Sequence, residues 1–135
     1  MILCDASPLI ALLSRRDNNH QRCVAVLPIL QPPLMTTWPC FVEAMYLLGR
    51  DVGWLGQKAL WSYVENKDLF FYPLEASDIQ RMRYLMQQYR DVPMDLADAS
   101  LVAAAESLNQ KRIFTLDTDF LIYRFEGKLP FEIVP

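Results

Sequence analysis

Met1-Ile2-Leu3-Cys4-Asp5-Ala6-Ser7-Pro8 is a short apolar run that ends on a carboxylate and then on two helix-starting residues. Ile2, Leu3 and Cys4 predict a buried strand, with Asp5 where that strand ends. Ser7 and Pro8 predict the N-cap and first position of a helix through Leu9-Ile10-Ala11-Leu12-Leu13. Open α/β sheets bind ligands in the crevice outside the carboxyl ends of their strands, so an Asp at that edge is placed for chemistry. Any function built on Asp5 depends on what else the fold brings to the same edge.

Downstream, strand and helix signals alternate. Arg15-Arg16-Asp17-Asn18-Asn19 predicts a polar turn, and Gln21 to Leu30 a helix with Val24, Leu27 and Leu30 inward, stopped at Pro32-Pro33. Leu34-Met35-Thr36 predicts a strand, and Thr37 can cap a helix over Trp38 to Leu48 that ends at Gly49. A further helix covers Trp54 to Glu65, and Leu69-Phe70-Phe71-Tyr72-Pro73 reads as an aromatic strand. Ser77-Asp78-Ile79-Gln80 has the form of a capping box before a helix carrying Ile79, Met82, Leu85, Met86 and Tyr89 at helical spacing. A helix from Asp95 to Leu108 is rich in small residues. Arg112 to Leu116 is a strand ending at Asp117, Phe120 to Tyr123 a short helical turn, and Phe131 to Val134 a last strand. This alternation implies a parallel α/β sheet with right-handed crossovers.

The bulk composition agrees. A chain of 135 residues, 53% hydrophobic and 21% charged, fits one compact domain spanning residues 1–135. No apolar run approaches the roughly 18 residues of a membrane span. The apolar start has no basic flank and contains Asp5, so it reads as strand and helix rather than a signal peptide. Cys4, Cys23 and Cys40 are odd in number and lie in apolar surroundings, which predicts reduced core thiols and points to the cytoplasm. A net charge of −3 argues against nucleic acid as a partner. Two divalent cations held by clustered acids would turn that −3 into +1 and remove the objection.

Four acids stand where a core would not want them. Asp5 and Asp117 end strands. Glu43 sits in Pro39 to Leu48, a helix apolar nearly all round, where a buried charge is costly unless paired or bound to a cation. Asp98 opens the small-residue run Ala97 to Ala105, which allows close packing on the sheet; Asp95, on the same face, is its cap. Asp119 either caps the turn at Phe120 or serves as an outer, water-mediated ligand. Each acid alone has a structural explanation. Together, with no His or Cys partner, they suit a hard cation such as Mg²⁺ or Mn²⁺.

Asp5-Ala6-Ser7-Pro8-Leu9-Ile10-Ala11, Glu43 in its apolar helix, Ala97 to Ala105 around Asp98, and Thr115-Leu116-Asp117-Thr118-Asp119-Phe120 follow one another in the order and spacing of the PIN domain family. The chain resembles that family over essentially its whole length, and in particular its VapC-like toxin ribonucleases. The resemblance implies a three-layer α/β/α sandwich around a central, mainly parallel sheet of four to five strands. It makes Asp5, Glu43, Asp98 and Asp117 the catalytic and metal-holding acids, with Asp119 accessory and Ser7 steadying the first carboxylate. The implied chemistry is metal-assisted hydrolysis of RNA phosphodiesters, with two ions roughly 3.5–4 Å apart. It further implies a homodimer and a small antitoxin partner that covers the site.

Other chemistries find less support. His20 is the only histidine, which excludes a two-histidine ribonuclease mechanism, and it falls on a polar turn. Ser7 has no base signature near it. With four glycines and no GxxxxGK[ST] or GxGxxG, a phosphate-cradling loop is not expected. Trp54, Lys58 and Trp61 share a helix face that reads as core or a subunit contact, the sharper option being a stacking platform for RNA bases. Arg15 and Arg16, following the first helix, are the first nominees for gripping RNA phosphates. The rival readings are a PIN domain retained only to bind a partner protein, and a Mg²⁺-binding receiver-like signalling domain. The latter would need a late lysine at the acids, and Lys111 and Lys128 are badly placed for it.

Overall fold

The computed structural model describes residues 1–135. The chain begins with β1 (Ile2–Cys4), α1 (Ala6–Leu13) and α2 (His20–Val26). β2 (Leu34–Thr36), α3 (Trp38–Asp51), α4 (Trp54–Glu65) and β3 (Leu69–Phe71) follow. The second half holds α5 (Ala76–Gln88), α6 (Leu96–Leu108), β4 (Arg112–Phe114), β5 (Arg124–Phe125), β6 (Leu129–Pro130) and β7 (Glu132–Val134). β3, β2, β1, β4 and β7 form, in that order, a sheet whose four pairings are all parallel. β5 and β6 make a separate antiparallel ribbon.

Side chains alternate across a strand, and here the alternation separates two cores. Ile2 and Cys4 of β1 join Phe114 of β4 in packing with α1, α3 and α4 through Leu9, Phe41, Leu48 and Leu60. Leu3 and Ile113 face the other way, into a core supplied by α5 and α6. Sheet strands buried on both sides explain why these segments read as continuous apolar runs. The result is the expected three-layer α/β/α sandwich with a five-stranded parallel sheet, and no helix is long and apolar enough to cross a membrane.

Several local expectations change. Asp5, not Ser7, is the N-cap of α1, because its carboxylate accepts from the Ala6 amide at 2.7 Å. The Gln21 to Leu30 segment divides into α2 and a 3₁₀ turn over Leu27–Leu30, with Cys23 inward and Val24 exposed. α3 runs through Gly49 to Asp51. The capping box of α5 lies two residues earlier than expected, on Glu75 and Asp78, and the helix starts at Ala76. Asp78 accepts from the Glu75 amide at 3.0 Å, and also from Tyr72 and Ser107 hydroxyls at 2.9 and 2.6 Å, while Ile79 faces solvent. The β5–β6 ribbon was not foreseen; its turn places Gly127 at φ +72°, where a residue without Cβ is favoured. Trp54 and Trp61 are 63% and 40% exposed, so their face is not core, although the Trp61 ring packs edge-on against Phe41 at 5.1 Å. The three cysteines are free and buried as expected.

Candidate metal centre

The sheet changes direction of growth at β1. From there the chain adds β2 and β3 on one side, and later β4 and β7 on the other. The carboxyl ends of β1 and β4 therefore flank the crevice where such sheets bind ligands. Asp5 leaves β1 at this point, with its amide bonded to the Phe114 carbonyl of β4 at 2.9 Å, and Asp117 stands just past the end of β4. Asp98 arrives from the first turn of α6. Every residue of that helix from Ala97 to Ala105 is buried, and their small side chains let it lie close against the sheet. Oxygen atoms of Asp5, Asp98 and Asp117 lie within 4.8 Å of one another.

Each carboxylate is held by its surroundings. Asp5 accepts from the Ala6 amide through Oδ1 and from the Thr115 hydroxyl through Oδ2, at 2.7 and 2.8 Å. Thr115 Oγ1 in turn accepts from the Asp117 amide at 3.0 Å, so one hydroxyl ties two of the acids. Asp117 Oδ1 accepts from the Asp119 amide at 2.9 Å, and Asp98 Oδ2 accepts from the Tyr123 hydroxyl at 2.8 Å. Ser7 does not bond to Asp5. Its hydroxyl accepts from the Leu116 amide at 3.3 Å, so the steadying role belongs to Thr115. Asp95 caps α6 by accepting from the Asp98 amide at 2.8 Å. Thr115 and Tyr123 were missed because nothing in their local sequence marks a tertiary hydrogen bond.

Burial and mutual repulsion act on the same groups. Burial lifts the Asp5 carboxyl above its ordinary range; the bonds from Thr115 and Ala6 oppose this, and Asp117 and Asp95 add to it. Asp98 is pushed up to about 7, by burial first, against the Tyr123 bond and with Asp95, Asp5 and Asp117 reinforcing. Glu43 is half-buried on α3 and lies outside the tight group of three, yet burial and then Asp5, Asp95 and Asp117 raise its acid too. The carboxyl of Asp119 is raised by burial and by Asp117 and Asp95. The ion pairs are Arg50–Asp51, Arg81–Glu106 and Arg112–Glu132, and none involves the cluster. Converging anions with no protein cation among them form a donor set that fits a hard divalent ion.

Around the acids the surface is apolar. Two adjoining grooves of about 280 and 460 Å³ share Trp38, Val42 and Tyr46 of α3, and the larger one also takes in Glu43 and Leu96 beside the cluster. Arg15 and Arg16 lie past the end of α1, lining a separate cavity with Leu13 and Asp51. An eight-residue helix is about 12 Å long, so the acids and these arginines occupy opposite ends of α1. His20 is structural, its Nδ1 donating to the Ala11 carbonyl at 2.7 Å. Lys111 sits 5.9 Å from the Phe125 ring centre at the start of β4, away from the acids.

No curated protein sequence matches the chain. Solved structures share its fold. Mycobacterium tuberculosis VapC20, a sarcin–ricin-loop-cleaving toxin, superposes with a TM-score of 0.84 at 18% identity, covering 96% of this chain and 100% of that one. VapBC2 of Rickettsia felis, bound to a fragment of its promoter DNA, gives 0.68 at 11% identity with 100% of both chains covered. A toxin–antitoxin complex from Klebsiella pneumoniae gives 0.66 at 19% identity, with 87% of this chain and 88% of that one covered. The sequence profile of the PIN domain matches residues 2–126, a span that carries all the clustered acids, and the chain belongs to the PIN domain family.

Proposed function

We propose that the protein is a divalent-metal-dependent endoribonuclease, the toxin of a toxin–antitoxin pair. The observation that carries this reading is the convergence of Asp5, Asp98 and Asp117 within 4.8 Å without a protein counter-cation. Such a group repels phosphate by itself and becomes a phosphate site only when it holds Mg²⁺ or Mn²⁺. An ion held there would supply an activated water and would offset charge on the phosphodiester.

The chain's own residues prepare the site. Asp5, Asp98 and Asp117 would hold the ion, Glu43 and Asp119 would serve as outer acids, and Thr115 keeps Asp5 and Asp117 in register. The carboxylates act as ligands rather than nucleophiles. Arg15 and Arg16, at the far end of α1, would meet phosphates distant from the scissile one. A receiver-like signalling role lacks its lysine, since Lys111 stands at the opposite end of β4.

The exposed apolar surface of Trp38, Val42, Tyr46, Trp61 and Leu96 supports a protein partner covering the acids, as an antitoxin would, and a homodimer is the second expected assembly. The test is cleavage of a structured RNA by the purified chain. Activity should appear with Mg²⁺ or Mn²⁺, vanish with chelator, and be abolished by Asp5→Asn and Asp98→Asn, both still folded. Cleavage that survives chelator or either substitution would overturn the proposal. A folded, metal-binding protein that cuts no RNA would favour the partner-binding module instead.

A further inference from the structure

We propose that Tyr123 is a positioning residue for the metal centre: its hydroxyl fixes the Asp98 carboxylate so that one oxygen remains directed at the ion. This inference rests on the metal-centre reading above.

The three central acids are anchored unequally. Asp5 is held through both oxygens, by Ala6 and Thr115, and Asp117 is tied to the amide of Asp119 close by in its own turn. The Asp98 side chain accepts one hydrogen bond, from Tyr123 Oη to Oδ2 at 2.8 Å. Without it, a carboxylate with two rotatable bonds would face two like charges, and repulsion would swing it aside. With Oδ2 engaged, Oδ1 is left for a cation. A neutral hydroxyl orients the acid without cancelling its charge, as an arginine or lysine would.

The donor is itself immobilised. Tyr123 is fully buried, and its ring is clamped edge-to-face by Tyr89 and Phe120, each with centroids 5.1 Å away. Tyr89 is pinned in turn, its hydroxyl accepting from the Arg124 amide at 3.0 Å. The 3₁₀ turn Thr118–Leu121 starts from Asp117 as its cap, and the Tyr123 amide bonds to the Asp119 carbonyl at 3.2 Å. One short segment thus supplies a ligand at its beginning and the anchor of a second ligand at its end. Partners that orient metal ligands typically matter about 10–100-fold in metal affinity.

The experiment is Mn²⁺ titration of the full chain by calorimetry, without RNA. Tyr123→Phe keeps the ring in its clamp and removes only the hydroxyl; it should weaken Mn²⁺ binding at least about tenfold. Tyr72→Phe makes the same change at a hydroxyl that donates to Asp78, away from the clustered acids, and should leave the affinity at the wild-type value. Equal losses in the two variants would mean general loosening and would overturn the proposal. So would wild-type affinity in Tyr123→Phe while Asp98→Asn loses binding, an outcome that leaves the metal centre standing. Wild-type binding by Asp98→Asn would instead remove the metal-centre reading itself.

Discussion

Replacing Asp98 by Asn should stabilise the metal-free protein, although it disables the proposed centre. The substitution removes a negative charge at constant shape, and Tyr123 can donate to the Asn carbonyl as it does to Asp98. The fold favours the protonated acid, pushing its pKa from 3.8 to about 7 through burial first and then neighbouring acids. At about 1.4 kcal/mol per pH unit, that gap is worth at most about 4 kcal/mol. Solvent at the mouth of the cleft screens the repulsion, which brings the expectation to about 2 kcal/mol. For a domain of this size that corresponds to about 7 °C in melting temperature. The sign follows from proton binding. Below about pH 4 folded and unfolded chains both keep the proton, and Asp98 costs nothing. Between pH 4 and 7 the unfolded chain ionises first, so wild type loses stability, and above 7 the loss is complete. Calorimetry in chelator should therefore show Asp98→Asn melting higher than wild type at pH 8, with the difference closing towards pH 4. Saturating Mg²⁺ should reverse the order at pH 8 by raising wild type alone. No gain at pH 8, or a gain that does not depend on pH, would refute the reasoning.

Asp78→Ala removes a buried acceptor of three hydrogen bonds from Tyr72, Glu75 and Ser107, and should lower stability by about 3 kcal/mol in urea denaturation. Burial alone would raise the Asp78 acid, but those bonds outweigh it and hold it low; its contribution is present above about pH 4 and lost as pH falls through the folded value. Thr115→Val cuts the link between Asp5 and Asp117 and should weaken Mn²⁺ binding about tenfold by calorimetry. Tyr46→Asp, at a position 67% exposed on the apolar surface, should leave the melting temperature within about 2 °C of wild type and abolish capture of a co-expressed partner.

Strand-end chemistry was visible in the sequence because Asp5 and Asp117 each follow a short apolar run, and a carboxylate there has a stereotyped place in a parallel sheet. The limits of α4 and the capping role of Asp95 were equally legible, both being set by residues within one helical turn. What stayed hidden is tertiary. Ser7 looks like a cap, yet Asp5 reaches the Ala6 amide first, and the bond to Asp5 Oδ2 comes from Thr115 far along the chain. Ile79 has the spacing of a core residue, but Asp78, Met82 and Leu85 take the inward face of α5 and leave it exposed. Tyr123 reads from sequence only as part of a short helical turn, since the fold alone brings its hydroxyl to Asp98. Glu43 was grouped with the three Asp residues because an acid in an apolar helix looks buried; α3 leaves it half-exposed at the rim.

The most direct test of the account is anomalous diffraction from crystals of the protein grown with Mn²⁺. A peak is expected among Asp5, Asp98 and Asp117, with carboxylate oxygens about 2.1 Å away, the spacing of small hard dications. A map with no peak there, at a concentration that saturates the protein in solution, would contradict it.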